Sequence, residues 1–264
     1  MSQASLEAVL SSLGPVTLAV SGGVDSMTLA VAAHRLLGAD ATDMVHAVSP
    51  AVQPESTERV RLWAGREGWN LRTVDSGEFG DSNYLENPVN RCFFCKGHLY
   101  GAIAALSRRQ VLSGANLDDL GDYRPGLDAA RAAGVRHPYV EAGIDKAGVR
   151  RLARRLGLGD LAELPSSPCL SSRVETSIAI EPMTLAAIHA VEKLVGATLA
   201  PETVRCRVRH AGIVVELDPP SLAALREGDA LTAAIASLLP AGLAGKPVRF
   251  EAYRMGSAFV GRRA

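Results

Sequence analysis

The chain has 264 residues, 47% of them hydrophobic and 21% charged, as in a globular protein with a substantial core. Lys plus Arg and Asp plus Glu both number 28, so no global charge draws the chain to nucleic acid, although abundant arginine leaves room for a local basic patch. No window is long and apolar enough to span a bilayer, and MSQASLEAVLSSLG lacks the marks of a secretory signal, so a cytoplasmic protein is expected; its four cysteines then read as thiols or metal ligands rather than disulfides.

VTLAV (16–20) reads as a buried strand, followed by a glycine turn and the helix DSMTLAVAAHRLL. DMVHAV (43–48) is the next strand and ESTERVRLWAGREG the next helix. LRTVDS, a helix after CFFCK (GHLYGAIAALSRR) and VLSGA (111–115) continue the alternation. Strand, helix, strand in this order predicts βαβ units and a parallel sheet with right-handed crossovers. DKAGVRRLARRLGL is an amphipathic helix with Asp145 as its N-cap. Beyond the loop PSSPCLSSR the pattern changes. IEPMTLAAIHAVEKLVGA is a helix with Pro182 near its first turn, and TVRCRVRH with IVVELD forms a hairpin around Ala211-Gly212. SLAALREGDALTAAIASLL reads as helical and PVRFEAYR as a last strand. The fold class is therefore α/β, with a parallel-sheet domain over 1–175 and a smaller α+β domain over 176–264.

In AVSGGVDSMTLA, Ser21, Gly22 and Gly23 lie between a strand and a helix. Glycines permit a tight turn with exposed N–H groups, and the helix N-terminus adds partial positive charge, which together make a phosphate cradle. The loop has no lysine, so it is not a Walker A loop, and amides with the hydroxyls of Ser21 and Ser26 would carry the contacts. The plainer reading is a strand-to-helix turn. GANLDD (114–119) follows a later parallel strand and opens at the same sheet edge, so Asn116 and Asp118 are candidates for nucleotide or magnesium contacts, or for Asx-turn chemistry alone. SGGVDS resembles the pyrophosphate loop of ATP pyrophosphatases, which cleave ATP to AMP and pyrophosphate. That resemblance implies a PP-loop domain that binds ATP and Mg²⁺, with Asp25 either a magnesium ligand or a helix cap.

NRCFFCK carries Cys92 and Cys95 in a C-x-x-C spacing, open to a redox dithiol, half a zinc knuckle or iron–sulfur ligation. A closed four-thiol zinc site would need Cys206. Strand alternation in VRCRVRH instead puts Arg205, Arg207 and Arg209 on one face and Cys206 with Val208 on the other, making Cys206 a small buried hydrophobe. Cys169 stands in a Pro-bracketed polar loop, and is a lone buried thiol, a sulfur donor or the third ligand of a metal site. The three arginines are a solvated edge or an anion site, since guanidinium groups bind phosphate and carboxylate bidentately.

In order, SGGVDS, RCFFCK, GANLDDLGDYRPG, PCLSSR and VRCRVRHAGIVVELD resemble the motif set of the LarE family, ATP-dependent sulfur transferases of nickel-pincer nucleotide biosynthesis. The resemblance implies that Cys169 delivers sulfur, and that with Cys92 and Cys95 it holds a [4Fe–4S] cluster carrying an exchangeable sulfide; members without the C-x-x-C sacrifice the lone cysteine. It implies a pyridinium-3,5-dicarboxylic acid mononucleotide substrate held by Arg205 and Arg207, and an acidic position at Glu216 concerned with metal, although VVELD departs from the family's usual string. Lys96 and Arg173 are then candidates to neutralise an adenylate, or plain surface charges. A homo-oligomer is expected, with other nickel-pincer biosynthesis enzymes as candidate partners. A tRNA-thiolating PP-loop enzyme is the rival enzyme, against which the neutral charge argues; a non-catalytic nucleotide or metal sensor is the rival of another class.

Overall fold

The computed structural model describes residues 5–121, 125–225 and 230–261. In chain order the helices are α1 (Leu6–Ser11), α2 (Val24–Leu37), α3 (Pro54–Glu67), α4 (Ser82–Leu85), α5 (Arg91–Leu106), α6 (Pro125–Ala132), α7 (Pro138–Glu141), α8 (Lys146–Arg155), α9 (Gly159–Ala162), α10 (Pro182–Leu199), α11 (Pro219–Ala223) and α12 (Ala230–Ser237). The strands are β1 (Val16–Ala19), β2 (Thr42–Ala47), β3 (Asn70–Val74), β4 (Gln110–Leu112), β5 (Val204–Arg209), β6 (Gly212–Leu217) and β7 (Val248–Ala252). The chain forms two compact units. One comprises the residues up to Gly80 with Asn90–Ser167; the other comprises Asp81–Val89 and the chain from Pro168 onward.

The first unit is built on a parallel sheet of order β3-β2-β1-β4. The inner strands β1 and β2 are buried along most of their length, as in a parallel sheet covered on both faces, whereas the edge strand β3 is largely exposed. Val16, Leu18, Val20, Met44 and Leu112 join Met27 and Val31 of α2 and Val149 and Ala153 of α8 in one cluster. Val45 and Val111 join Tyr100, Ile103, Ala130 and Val135 in another. The connection after β1 leads to β2 on one side of β1, whereas β4 pairs on its other side, with Leu18 opposite both Met44 and Leu112. The carboxyl ends of β1 and β4 therefore flank the point where strand order reverses, where open α/β sheets bind ligands.

The second unit contains a three-stranded sheet, β5 antiparallel to β6 and β6 parallel to β7. The expected β5–β6 hairpin forms, with its turn at His210–Ala211, one residue before the Ala211-Gly212 pair expected. Gly212 is required there: its φ is +139° and a Cβ would stand 2.5 Å from the Pro247 carbonyl oxygen. The segment 81–89 is locked into this unit by Asn87, which is buried in left-handed backbone with φ +55°. Its amide donates to the carbonyl oxygens of Glu175 and Ile178 at 2.9 Å each.

Two expectations change. The helix expected after CFFCK begins earlier, at Arg91, so the C-x-x-C motif lies inside α5. The stretch 221–239 is not one helix: α11 ends at Ala223 and α12 starts at Ala230, and 226–229 lie outside the described residues. No helix among the described residues is long and apolar enough to cross a membrane.

Candidate functional site

The first site is assembled at the carboxyl ends of β1 and β4. Gly22 turns the chain out of β1 with φ +83°, and a Cβ there would meet the Ser56 carbonyl oxygen at 2.7 Å, so α3 can pack onto the loop only against glycine. Arg59 Nη1 donates to the Gly22 carbonyl at 2.8 Å, fixing the loop from the same helix. Gly23 is the N-cap of α2. The buried Ser26 hydroxyl accepts from the Ser21 N–H at 3.0 Å and donates to the Gly23 carbonyl at 3.2 Å, so it shapes the loop from within. Behind the loop, His46 Nδ1–H donates to the Val20 carbonyl at 2.7 Å, which leaves Nε2 to accept from the Thr57 hydroxyl at 2.8 Å. Burial holds the His46 pKa below its usual value.

The loop after β4 is pressed against the start of α2. A Cβ on Gly114 would lie 2.8 Å from the Ser26 nitrogen. Asn116 is buried and caps the turn Leu117–Leu120 in a capping box with Asp119. Its Nδ2 also donates to Asp25 Oδ1 at 3.2 Å, joining the two loops. Asp25 Oδ2 accepts from Lys146 Nζ at 2.5 Å, and the buried Tyr139 hydroxyl donates to the Asp25 carbonyl at 3.2 Å. Asp118 is exposed and accepts the Lys146 backbone N–H at 3.2 Å. The structure thus brings together Ser21, Gly22, Gly23, Asp25, Ser26, Asn116 and Asp118. It adds Lys146, which sequence reasoning missed because it is 121 residues from Asp25.

In the same unit, Cys92 and Cys95 are half-buried in the first turns of α5. Their spacing of three puts both thiols on one side of the helix. Gly126 of α6 lies over this turn, where a Cβ would be 3.0 Å from Lys96 Cγ and 3.5 Å from the Cys92 carbonyl oxygen. Lys96 Nζ stands 5.9 Å from the centroid of the Tyr100 ring.

The second unit carries Cys169. Its thiol is exposed, while its carbonyl accepts from the Ser172 N–H (3.0 Å), the Ser172 hydroxyl (2.7 Å) and Arg173 Nη1 (3.1 Å). The side chain is therefore displayed on a turn whose backbone is pinned. Arg173 is not a surface charge: it is fully buried, pairs with Glu192 at 3.0 Å and also donates to the Pro168 carbonyl. Glu192 Oε1 accepts the Cys206 backbone N–H at 3.0 Å, and burial pushes the Cys206 thiol pKa up, so Cys206 is the inert buried hydrophobe expected.

Arg207 and Arg209 share one face of β5 and converge on Glu216, which is fully buried. Arg207 Nε donates to Oε2 at 2.9 Å, and Arg209 Nη2 and the Ser257 hydroxyl donate to Oε1 at 2.7 and 2.5 Å. Glu216 is thus the anion that holds two guanidinium groups in register, and as built it is engaged with them rather than open to a metal. Arg205 is half-buried with its guanidinium 5.9 Å from the Tyr253 ring centroid; burial, then the positive charge of Arg173, lowers its pKa. Among the described residues no group of three or more His, Cys, Asp or Glu side chains stands ready to hold a metal ion. The three cysteines singled out in the sequence are divided between the units, two in the first and one in the second.

A parallel sheet with a glycine loop at its reversal point, joined to a small α+β unit, defines a PP-loop α/β protein. No family model matches the chain. It is 31% identical over 219 residues to the pyridinium-3,5-bisthiocarboxylic acid mononucleotide synthase of Lactiplantibacillus plantarum, covering 81% of this chain and 79% of that protein. An uncharacterized protein of Synechocystis sp. is 42% identical over 160 residues, 59% of each chain, so this chain spans under two thirds of that relative. An uncharacterized protein of Methanocaldococcus jannaschii is 24% identical over 182 residues, 67% of this chain and 68% of that one. The chain belongs to the LarE family.

Proposed function

We propose that the chain is an ATP-dependent sulfur transferase that adenylates the carboxylates of pyridinium-3,5-dicarboxylic acid mononucleotide and converts them to thiocarboxylates. The observation that carries this reading is the 31% identity, over most of both chains, to a synthase named for the bisthiocarboxylic acid mononucleotide. The loop at β1 supports the first half of the chemistry. A carboxylate is a poor acyl donor because oxide is a prohibitive leaving group. Its oxygen attacks the α-phosphorus of ATP, the bond to the β-phosphate oxygen breaks, and pyrophosphate leaves into the amides of Ser21, Gly22 and Gly23. Asp25 and Asp118 offer the hard oxygen donors that Mg²⁺ takes. Sulfur then attacks the acyl carbon and AMP departs.

Cys92, Cys95 and Cys169 fit an iron–sulfur centre in donor type and number, two of them paired on one helix turn and the third displayed on a pinned loop. A [4Fe–4S] cluster bound by them would supply the transferable sulfide. Arg205 would take the substrate phosphate, while the Arg207–Glu216–Arg209 network fixes the strand that presents it. The exposure of Cys169 favours a second reading, in which its own sulfur is given up once per chain. Anaerobic reconstitution with iron and sulfide, followed by mass spectrometry of product and intact protein, tests both. Several thiocarboxylates per chain with unchanged protein mass support the catalytic reading. One per chain, with loss of H₂S from Cys169, supports the sacrificial one, and no thiocarboxylate in any condition refutes both.

A further inference from the structure

The turn Leu170–Arg173 presents Cys169 at its head, as the residue that caps it. All four residues of the turn are buried, although the thiol is exposed. Two of their side chains, Ser172 and Arg173, fold back onto the Cys169 carbonyl at 2.7 and 3.1 Å and fix the backbone there. The remaining polar side chain goes elsewhere. The fully buried Ser171 hydroxyl shares a hydrogen bond of 2.6 Å with the hydroxyl of Tyr84, a residue of α4 that is itself buried.

Tyr84 does not need that bond to stay in place. Asp81 caps α4 by accepting from the Asn83 N–H at 2.9 Å. The Ile180 N–H donates to the Leu85 carbonyl at 2.8 Å, and the Ser177 N–H donates to the Asn87 carbonyl at 3.0 Å. With the Asn87 amide on Glu175 and Ile178, the tyrosine stands on a fixed base, and the turn is the part it restrains. Packing alone would not call for two hydroxyls, since a buried hydrogen-bonded pair exchanged for apolar groups of the same shape leaves stability nearly unchanged. What the pair adds is direction: a hydrogen bond fixes a distance and an angle that an apolar contact leaves loose. Ser171 is two residues from Cys169, so the bond sets the pitch of the turn and with it the line along which Sγ points.

We infer that Tyr84 is a positioning residue for Cys169, acting through the Ser171 hydroxyl to set where Sγ stands when sulfur meets the acyl carbon. This rests on the sulfur-transfer reading of Cys169 given above. It holds whether the atom transferred is the cysteine's own sulfur or a sulfide carried beside it.

Single-turnover assays of the reconstituted full chain, with ATP, Mg²⁺ and the pyridinium dicarboxylate, separate release of pyrophosphate from formation of thiocarboxylate. They are run on wild type, Tyr84→Phe, Ser171→Ala and the Tyr84→Phe/Ser171→Ala double variant, with thermal melting of each. Tyr84→Phe is expected to slow thiocarboxylate formation by about tenfold to a hundredfold, the scale of a displacement of about 1 Å at a reacting atom. Pyrophosphate release is expected to stay within about twofold of wild type. Tyr84→Phe leaves the buried Ser171 hydroxyl without this partner and is expected to lower the melting temperature. The double variant removes both hydroxyls and is expected to melt near wild type while staying slow in sulfur transfer. Sulfur transfer that is unchanged in Tyr84→Phe, or that recovers with stability in the double variant, overturns the inference and makes the pair a packing contact only. Equal slowing of both steps overturns it as well, since a displaced thiol acts only after adenylation. If the double variant does not fold, Ser171→Ala carries the test by the same split between the two steps. Wild type that releases pyrophosphate but forms no thiocarboxylate is a separate result, which removes the sulfur-transfer reading itself.

Discussion

At the scale of single residues, Cys169 and Glu216 differ in what their surroundings leave them free to do. The Cys169 side chain is exposed while three donors fix its carbonyl, so replacing the thiol alters chemistry and little else. Cys169→Ser is expected to abolish thiocarboxylate formation and to leave ATP affinity within about twofold of wild type, a surface-scale change; nucleotide titration beside product assay checks both. Glu216 is the reverse case. It is fully buried and is the acceptor for two guanidinium groups, so removing it strands positive charge in the interior. Glu216→Ala is expected to cost about 3–5 kcal/mol in urea unfolding, the range for breaking a buried pair. The alternation in VRCRVRH placed the arginines on one face correctly, but the depth of Glu216 was not legible. Whether a charge on a strand lies at an edge or in a core depends on what packs over it, and here Ser257, 41 residues away, completes the network.

At the scale of elements, the glycine loop was readable because its constraints are local: a strand, a turn needing positive φ, then a helix start. What holds it is not local. Ser56 and Arg59 come from α3, and His46 from β2. Gly22→Ala combines a left-handed backbone with a clash against a backbone oxygen, and is expected to cost more than about 2 kcal/mol and to lose ATP binding. Chemical unfolding and nucleotide titration measure the two effects separately, and ATP affinity equal to wild type would remove the loop from the site. The start of α5 was misread because Cys and Phe are weak helix formers. The helix forms there because Tyr100 and Ile103 bury its far end in the sheet's second cluster, a tertiary cause. Lys146 was missed for a related reason. Its helix and cap were legible, but nothing in DKAGVRR states which strand end the first turn will meet.

At the scale of the whole molecule, alternating strands and helices gave the α/β class, and strand order required coordinates. The place of Asp81–Val89 in the second unit had no signal beyond Asn87, whose left-handed backbone and buried amide are invisible in a string of letters. Stability of the first unit should depend on pH through His46. Its folded pKa lies below the ordinary 6.5 because burial disfavours the imidazolium. The unfolded chain therefore binds more protons as pH drops past that value, so stability is present above it and lost below it. The melting temperature is expected to fall between pH 7.5 and 5.5, chosen as about one unit either side of the unperturbed value, and His46→Gln to flatten that slope. A slope unchanged in the variant would assign the effect elsewhere.

The most direct test of the account is release of AMP from ATP as pyridinium-3,5-dicarboxylic acid mononucleotide is added to the reconstituted chain. AMP and pyrophosphate are expected in equal amounts, rising with that substrate and absent without it. AMP formation indifferent to the dicarboxylate, or ADP in place of AMP, would contradict it.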